Sequence, residues 1–210
     1  MKLRKKVKRA IKRTGMITLL FIGIFIIVSL LTYEIPGPKK GQISHPLVSE
    51  QVLDYQPLVE KYAKQYDVDN YVDILLAMMM QESGGRGKDP MQASESYCGS
   101  IGCIDEPELS IKQGVYYFSK TLDKADGDVK LAIQSYNFGV GFIDFIAEGP
   151  GKYSEDAAID FSKQMYQNAA DKSIYRCLRE ASKEKEACYG DIYYVRSVMK
   201  YRDVISEETQ

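Results

Sequence analysis

Tryptophan is absent from this 210-residue chain and histidine occurs once. Without tryptophan, stacking on a flat ligand falls to tyrosine or phenylalanine, of which the chain has 16 and 7. The single histidine, His45, lies between proline- and glycine-rich residues, so a Ser-His or Cys-His nucleophilic centre would have to recruit a linker residue. A histidine-based metal site is disfavoured for the same reason. No acid precedes Glu34 and no cysteine precedes Cys98, so the apolar run near the start has no lipid-modifiable cysteine behind it. Strand-like alternation is almost missing, and no internal repeat is present.

Against those absences stand four segments. Residues 1–13 form a basic arm with Lys2, Arg4, Lys5, Lys6, Lys8, Arg9, Lys12 and Arg13. Residues 14–33 carry no charge, a length that crosses a bilayer as a helix, and the basic arm puts the N-terminus in the cytoplasm. A cleaved signal peptide is the competing reading, but its apolar core would be shorter, and Ser29 to Pro36 offers no small-x-small cleavage site. A retained single-pass anchor in the cell membrane is therefore expected, with residues 34–48 as a stiff Pro/Gly spacer and residues 49–210 as one extracytoplasmic domain, long enough for its own core. Setting the arm aside leaves 20 Lys and Arg against 29 Asp and Glu, a net charge of −9. That acidity excludes nucleic acid as a natural partner. Cys98, Cys103, Cys177 and Cys188 all fall in the outer part, where disulfides persist. Their order suggests two local bridges, Cys98 with Cys103 and Cys177 with Cys188, among the three connectivities that four cysteines allow. A four-thiolate zinc site is the alternative, and gaps of four and ten residues fit it poorly. A redox or nucleophilic thiol at Cys98 or Cys103 lacks a nearby histidine. No cofactor and no metal are implied.

The outer part reads as helical nearly throughout. Tyr55, Val59, Tyr62 and Tyr66 mark one helix, with Pro57 in its first turn. Asp69 or Asn70 is expected to cap a second that ends at Glu82, and Ser110 a third with Ile111, Val115, Phe118 and Leu122 inward. Asp128 opens a fourth through Leu131 to Asn137, Ser154 a fifth with Ala158, Phe161 and Met165, and Ile192, Val195 and Met199 mark the last.

The chemistry concentrates in Gln81 to Ser96, QESGGRGKDPMQASES. Leu75, Met78, Met79 and Glu82 share a helix face, so the Glu82 carboxyl is partly desolvated. Gly84 and Gly85 end the helix at once, which adds the negative end of its dipole. Both effects favour the protonated acid. Asp89 sits in a loop with Arg86 and Lys88 just before it, neighbours that favour a carboxylate. One acid holding its proton beside one that stays charged is the arrangement glycoside hydrolysis requires. The plainer alternative is a solvated glutamate at a helix end and an Asp-Pro turn. Ser94, Ser96 and Gln92 in the strip after Pro90 can hydrogen-bond an oxygen-rich ligand. Further on, Tyr136 could stack on a sugar or bond the acid, and Asn137 could bind an N-acetyl group or simply end its helix. Tyr97, Tyr116 and Tyr117 are other stacking candidates.

Gln81-Glu82-Ser83, Met91-Gln92 and Tyr136-Asn137-x-Gly139 together resemble the goose-type lysozyme and lytic transglycosylase superfamily. The run MMMQESGGRGKDPMQASES is similar to the lysozyme-like domain of CwlT-type cell-wall hydrolases, and a stand-alone anchored form is similar to the pneumococcal vaccine antigen A type. The resemblance covers about Ser49 to Val204. It implies a mostly α, lysozyme-like (goose-type) fold, Glu82 as catalytic acid, Asp89 as second acid, and Gln92 and Asn137 as glycan-binding positions; Ser83, Ser94, Ser96 and Tyr136 complete the expected substrate-binding set. It also implies peptidoglycan glycan strands as substrate, in a Gram-positive envelope or conjugation setting. The papain-like peptidase domain that usually continues the CwlT type has no counterpart in this sequence, so peptide cleavage is not carried over. If Asp89 activates a water the reaction is hydrolysis between N-acetylmuramic acid and N-acetylglucosamine. If Glu82 acts alone, the muramic 6-hydroxyl attacks and an anhydro product results. A non-catalytic wall-binding or assembly protein is the reading from a different class.

Overall fold

The computed structural model describes residues 47–208. The arm, the proposed anchor at residues 14–33, His45 and most of the spacer lie outside the described residues. Among the described residues no helix is long and apolar enough to cross a membrane.

Ten α-helices and two short 3-10 turns make up the described part, with no strand among its residues. The helix at the centre is α3, Val72–Glu82. The sequence pattern suggested a one-sided apolar face, but Ile74, Leu75, Leu76, Ala77, Met78 and Met79 are all buried. A helix buried all round needs neighbours on every side. Before it come α1, Glu50–Asp54, and α2, Gln56–Gln65. Along its length runs α10, Tyr194–Glu208. Between them lie α4, Ser94–Cys98, α5, Pro107–Lys124, and α6, Val129–Phe138. The set is completed by α7, Gly141–Glu148, α8, Glu155–Asn168, and α9, Glu180–Glu184.

Two capping expectations hold and two do not. The Asp128 carboxylate accepts from Leu131 N and the Ser154 hydroxyl from Ala157 N, so α6 and α8 begin as expected. Neither Asp69 nor Asn70 caps α3; both belong to a 3-10 turn over Asp69–Tyr71, and Tyr71 leads into the helix without a side-chain bond. Ser110 is likewise not a cap. Pro107 starts α5 a turn earlier, because its missing N–H and fixed φ suit the first helical position. Ser110 is thereby carried to the buried side, where its hydroxyl bonds the Asp89 carboxylate.

The packing around the C-terminal end of α6 is aromatic. Phe138, Phe142, Phe145 and Phe161 meet with ring centroids 5.1 to 6.2 Å apart. This cluster holds the end of α6, and with it Tyr136 and Asn137, against the rest of the domain.

Candidate active site

Helix α3 ends at Glu82, and Gly84 and Gly85 take φ of 66° and 79°. At Gly85 the conformation is combined with a close approach, since a Cβ there would stand 3.1 Å from Val52 N. Ser49 Oγ donates to Gly84 O at 2.7 Å, so the residue that caps α1 clamps the turn after the acid.

Glu82 is half-buried. Its Oε1 accepts a 2.5 Å hydrogen bond from the hydroxyl of Tyr194, itself 1% exposed at the start of α10. Loss of hydration pushes the Glu82 carboxyl up to about 7; the Tyr194 bond opposes that rise, and the charges of Asp89 and Asp191 reinforce it. The direction agrees with the sequence reading, and burial is the main cause.

Asp89 is held differently from what its neighbours suggested. Its carboxylate accepts from Ala93 N at 2.8 Å, Ser94 N at 3.0 Å, Ser94 Oγ at 2.6 Å and Ser110 Oγ at 2.6 Å. Among the described residues it makes no ion pair with Arg86 or Lys88. The four donors fold the 89–94 stretch into a tight turn around the carboxylate. Ser110 Oγ also accepts from Met91 N at 3.0 Å, tying that turn to α5. Ser83 Oγ donates to Pro90 O at 2.7 Å and closes the loop on the other side.

Tyr136 and Asn137 come to the same place. The Tyr136 hydroxyl donates to Met91 O at 2.8 Å, and Gly114 on α5 leaves room for both, since a Cβ there would lie 2.7 Å from the Met91 sulfur and 2.8 Å from the Tyr136 oxygen. Burial drives the Tyr136 phenol well above its usual range, so it remains a donor. Asn137 Oδ1 accepts from Asp191 N at 2.7 Å, which leaves the amide hydrogens as the groups it can offer outward.

A cleft of about 290 Å³ is lined by Gln92, Ser96, Tyr136 and Asn137, all expected in the sequence. Tyr117, Tyr189 and Glu95 also line it. Ser94 is 3% exposed and outside its lining, bonded to Asp89 and to Ile104 N. Tyr97 and Tyr116 are exposed and outside its lining. A larger cleft, about 600 Å³, borders the outer side of α10 and contains the Arg196–Glu155 ion pair. Glu82 and Asp89 line neither cleft, but the smaller one is bordered by Gln92, which donates to Asp89 O at 2.8 Å, and by Tyr136, which donates to Met91 O, so it adjoins the two acids and is the candidate site.

Both expected disulfides are formed, Cys98–Cys103 and Cys177–Cys188, and no described cysteine is free. Zinc at these four positions is thereby overturned, as is a free reactive thiol. The first bridge closes the loop after α4, next to the Asp89 turn. The second braces a segment that ends at Asp191, a buried acid the sequence reading passed over along with Arg179 and Tyr194. The signal available for Asp191 was local: Gly190-Asp191 just before an apolar-periodic run is a turn-and-helix-start pattern.

A buried central helix ending in an acid, a capped glycine loop and a Tyr-Asn pair from a second helix define a lysozyme-like site, and the chain belongs to the Lysozyme-like family, whose profile matches residues 49–202. Among relatives, the chain is 37% identical over 215 aligned residues to the uncharacterized membrane protein YocA of Bacillus subtilis strain 168, covering 99% of this chain and 94% of that one. It is 39% identical over 165 residues to the bifunctional muramidase/DL-endopeptidase CwlT of the same organism, covering 79% of this chain and 46% of CwlT. To pneumococcal vaccine antigen A of Streptococcus pneumoniae serotype 4 it is 31% identical, over 69% and 72% of the two chains. A crystal structure from Staphylococcus aureus Mu50, described as similar to a lipoprotein of the NLP/P60 family, superposes with a TM-score of 0.64 at 38% identity, over 73% of this chain and 53% of that one.

Proposed function

We propose that the chain is a peptidoglycan glycosidase that cleaves between N-acetylmuramic acid and N-acetylglucosamine, with Glu82 as general acid. The observation that carries the reading is Glu82 itself: a half-buried carboxyl at the end of a buried helix, fixed through Oε1 by Tyr194 and raised to about 7. A general acid works best when its proton affinity lies near the working pH. With Oε1 engaged, the proton resides on Oε2, which donates it to the departing glycosidic oxygen. Gln92, Ser96, Tyr136 and Asn137 then line the path of an uncharged, oxygen-rich strand. The muramidase part of the CwlT name supports the same chemistry; its endopeptidase part is not proposed for this chain.

The step after protonation depends on Asp89. Hydrolysis with inversion needs a carboxylate with a lone pair free to activate water. Four donors already converge on Asp89, which favours the second reading, in which Glu82 returns as base toward the muramic 6-hydroxyl and an anhydro end forms. Mass spectrometry of digested glycan separates the two, because the anhydro fragment is one water lighter than the hydrolysed one. Binding of wall without any new ends would instead favour a non-catalytic wall protein.

The location proposed is the outer face of the cell membrane, through a retained anchor at residues 14–33. The two disulfides suit an oxidising compartment, and the membrane-protein name of the YocA relative points the same way. Protease protection of the domain in intact cells, lost on removing the wall and adding protease outside, tests it.

A further inference from the structure

The segment from Cys177 to Tyr193 is not accounted for by the motifs that mark the site, yet it bonds to Gln134, Asn137 and Phe138 on α6 and leads directly into Tyr194, the partner of Glu82. Asp191 is 3% exposed. Arg179 grips its carboxylate with two bonds of 2.6 Å, Nε to Oδ1 and a terminal nitrogen to Oδ2, and reaches Ser197 on α10 with the same terminal nitrogen at 2.8 Å. The Asp191 main chain is held as firmly: its N–H donates to Asn137 Oδ1 at 2.7 Å and its carbonyl accepts from buried Gln134 Nε2 at 2.9 Å. Asp191 also closes the turn into α10, with Tyr193 N donating to Oδ1 at 2.9 Å and Tyr194 N to its carbonyl at 3.1 Å.

Its neighbour allows no alternative packing. Gly190 has φ of 61°, and a Cβ there would stand 2.7 Å from both Asn137 Oδ1 and the Phe138 ring. Tyr189 donates to Phe138 O at 2.9 Å and lines the cleft. The Cys177–Cys188 bridge ties the start of the segment to this docked end.

We infer that this disulfide-braced segment is a wall of the catalytic site in which Asp191, locked by Arg179, is the positioning residue that sets Tyr194 against Glu82 and turns the Asn137 amide outward. Asp191 touches neither carboxyl oxygen of Glu82 and acts through the two residues it holds and through its charge. The inference rests on the reading of Glu82 as the acid. The titratable groups that face Glu82 are Tyr194 from α10, Tyr136 from α6, Asp89 from the glycine loop and Asp191 from this segment. Of these four, Asp191 is the one paired with a cation among the described residues, so the balance of this one pair can be altered without touching the others.

The test uses Asp191→Asn, Arg179→Gln and the double variant, each checked for folding by near-ultraviolet circular dichroism. The Glu82 carboxyl is titrated by carbon-13 NMR, assigned with Glu82→Gln, and wall lysis is followed against pH in parallel. Asp191→Asn removes a negative charge and leaves Arg179 unopposed, so the Glu82 midpoint and the alkaline limb of lysis move down by about one pH unit. Arg179→Gln leaves the Asp191 charge uncompensated and moves both up. The double variant restores the charge balance and returns the midpoint close to wild type, while the KM for glycan stays raised because the lock that orients Asn137 is gone. If Asp191→Asn alone fails to fold, Arg179→Gln against the double variant carries the same comparison. Equal shifts in one direction, or no shift in folded variants, overturn the inference. Absence of wall lysis in the wild type would overturn the proposed reaction and leave the NMR comparison standing.

Discussion

Replacing Glu82 by glutamine should stabilise the protein, and by more as the pH rises. A carboxyl raised from 4.5 to about 7 on folding binds its proton more tightly in the native state than in the unfolded one. Below pH 4.5 both states are protonated and the group contributes nothing. As pH climbs through 4.5 the unfolded state releases the proton while the native state keeps it, so stability falls until the native group also ionises near 7. The shift of 2.5 units corresponds to about 3 kcal/mol at pH 8, at 1.36 kcal/mol per unit. Glutamine keeps an oxygen for the Tyr194 hydroxyl and carries no charge, so it removes this penalty without opening a cavity. Urea unfolding of both forms from pH 4 to pH 8.5, with disulfides intact, reads the difference directly because other titrating groups cancel. Near-equal stability at pH 4 and an advantage of about 3 kcal/mol for Glu82→Gln at pH 8 are expected. A difference independent of pH, or one favouring the wild type at high pH, would refute the burial argument.

Tyr194→Phe removes the one interaction that favours the charged form of Glu82, so the alkaline limb of wall lysis should move up by about one unit, from a hydrogen bond to a charged group worth ~1.5 to 3 kcal/mol. Gly190→Ala meets Asn137 and Phe138 at 2.7 Å in a left-handed conformation; thermal unfolding should show a loss of about 2 to 4 kcal/mol, with a raised KM for glycan in whatever folds. Asp89→Ala strands two backbone N–H groups and two hydroxyls and should cost about 3 kcal/mol in urea unfolding, whereas Asp89→Asn, which still accepts part of the set, should cost less.

The helical class and most helix positions were legible because apolar spacing and side-chain caps are local signals. Asp128 and Ser154 were such signals. Ser110 misled because a serine before an apolar run looks like a cap, and only the docking of the Asp89 loop on α5 shows that its hydroxyl is spent on a carboxylate 21 residues away. Glu82, Gln92, Tyr136 and Asn137 could be picked out from short motifs. Asp191, Arg179 and Tyr194 could not be tied to the acid, since the bond from Tyr194 to Glu82 spans 112 residues and no periodicity encodes such a pairing. Asp89 was read from its sequence neighbours, Arg86 and Lys88, while its partners in the fold are serines and backbone amides. Charges adjacent in sequence say little once a loop turns its carboxylate inward.

Proton donation from Glu82 to a glycosidic oxygen is the step on which the proposed reaction stands. The direct measurement is mass spectrometry of new glycan ends after intact peptidoglycan is incubated with wild type and with Glu82→Gln at equal folded concentration. New muramic ends from the wild type, with a loss of at least about a hundredfold in Glu82→Gln, are predicted. The same ends released at a comparable rate by the glutamine variant would contradict it.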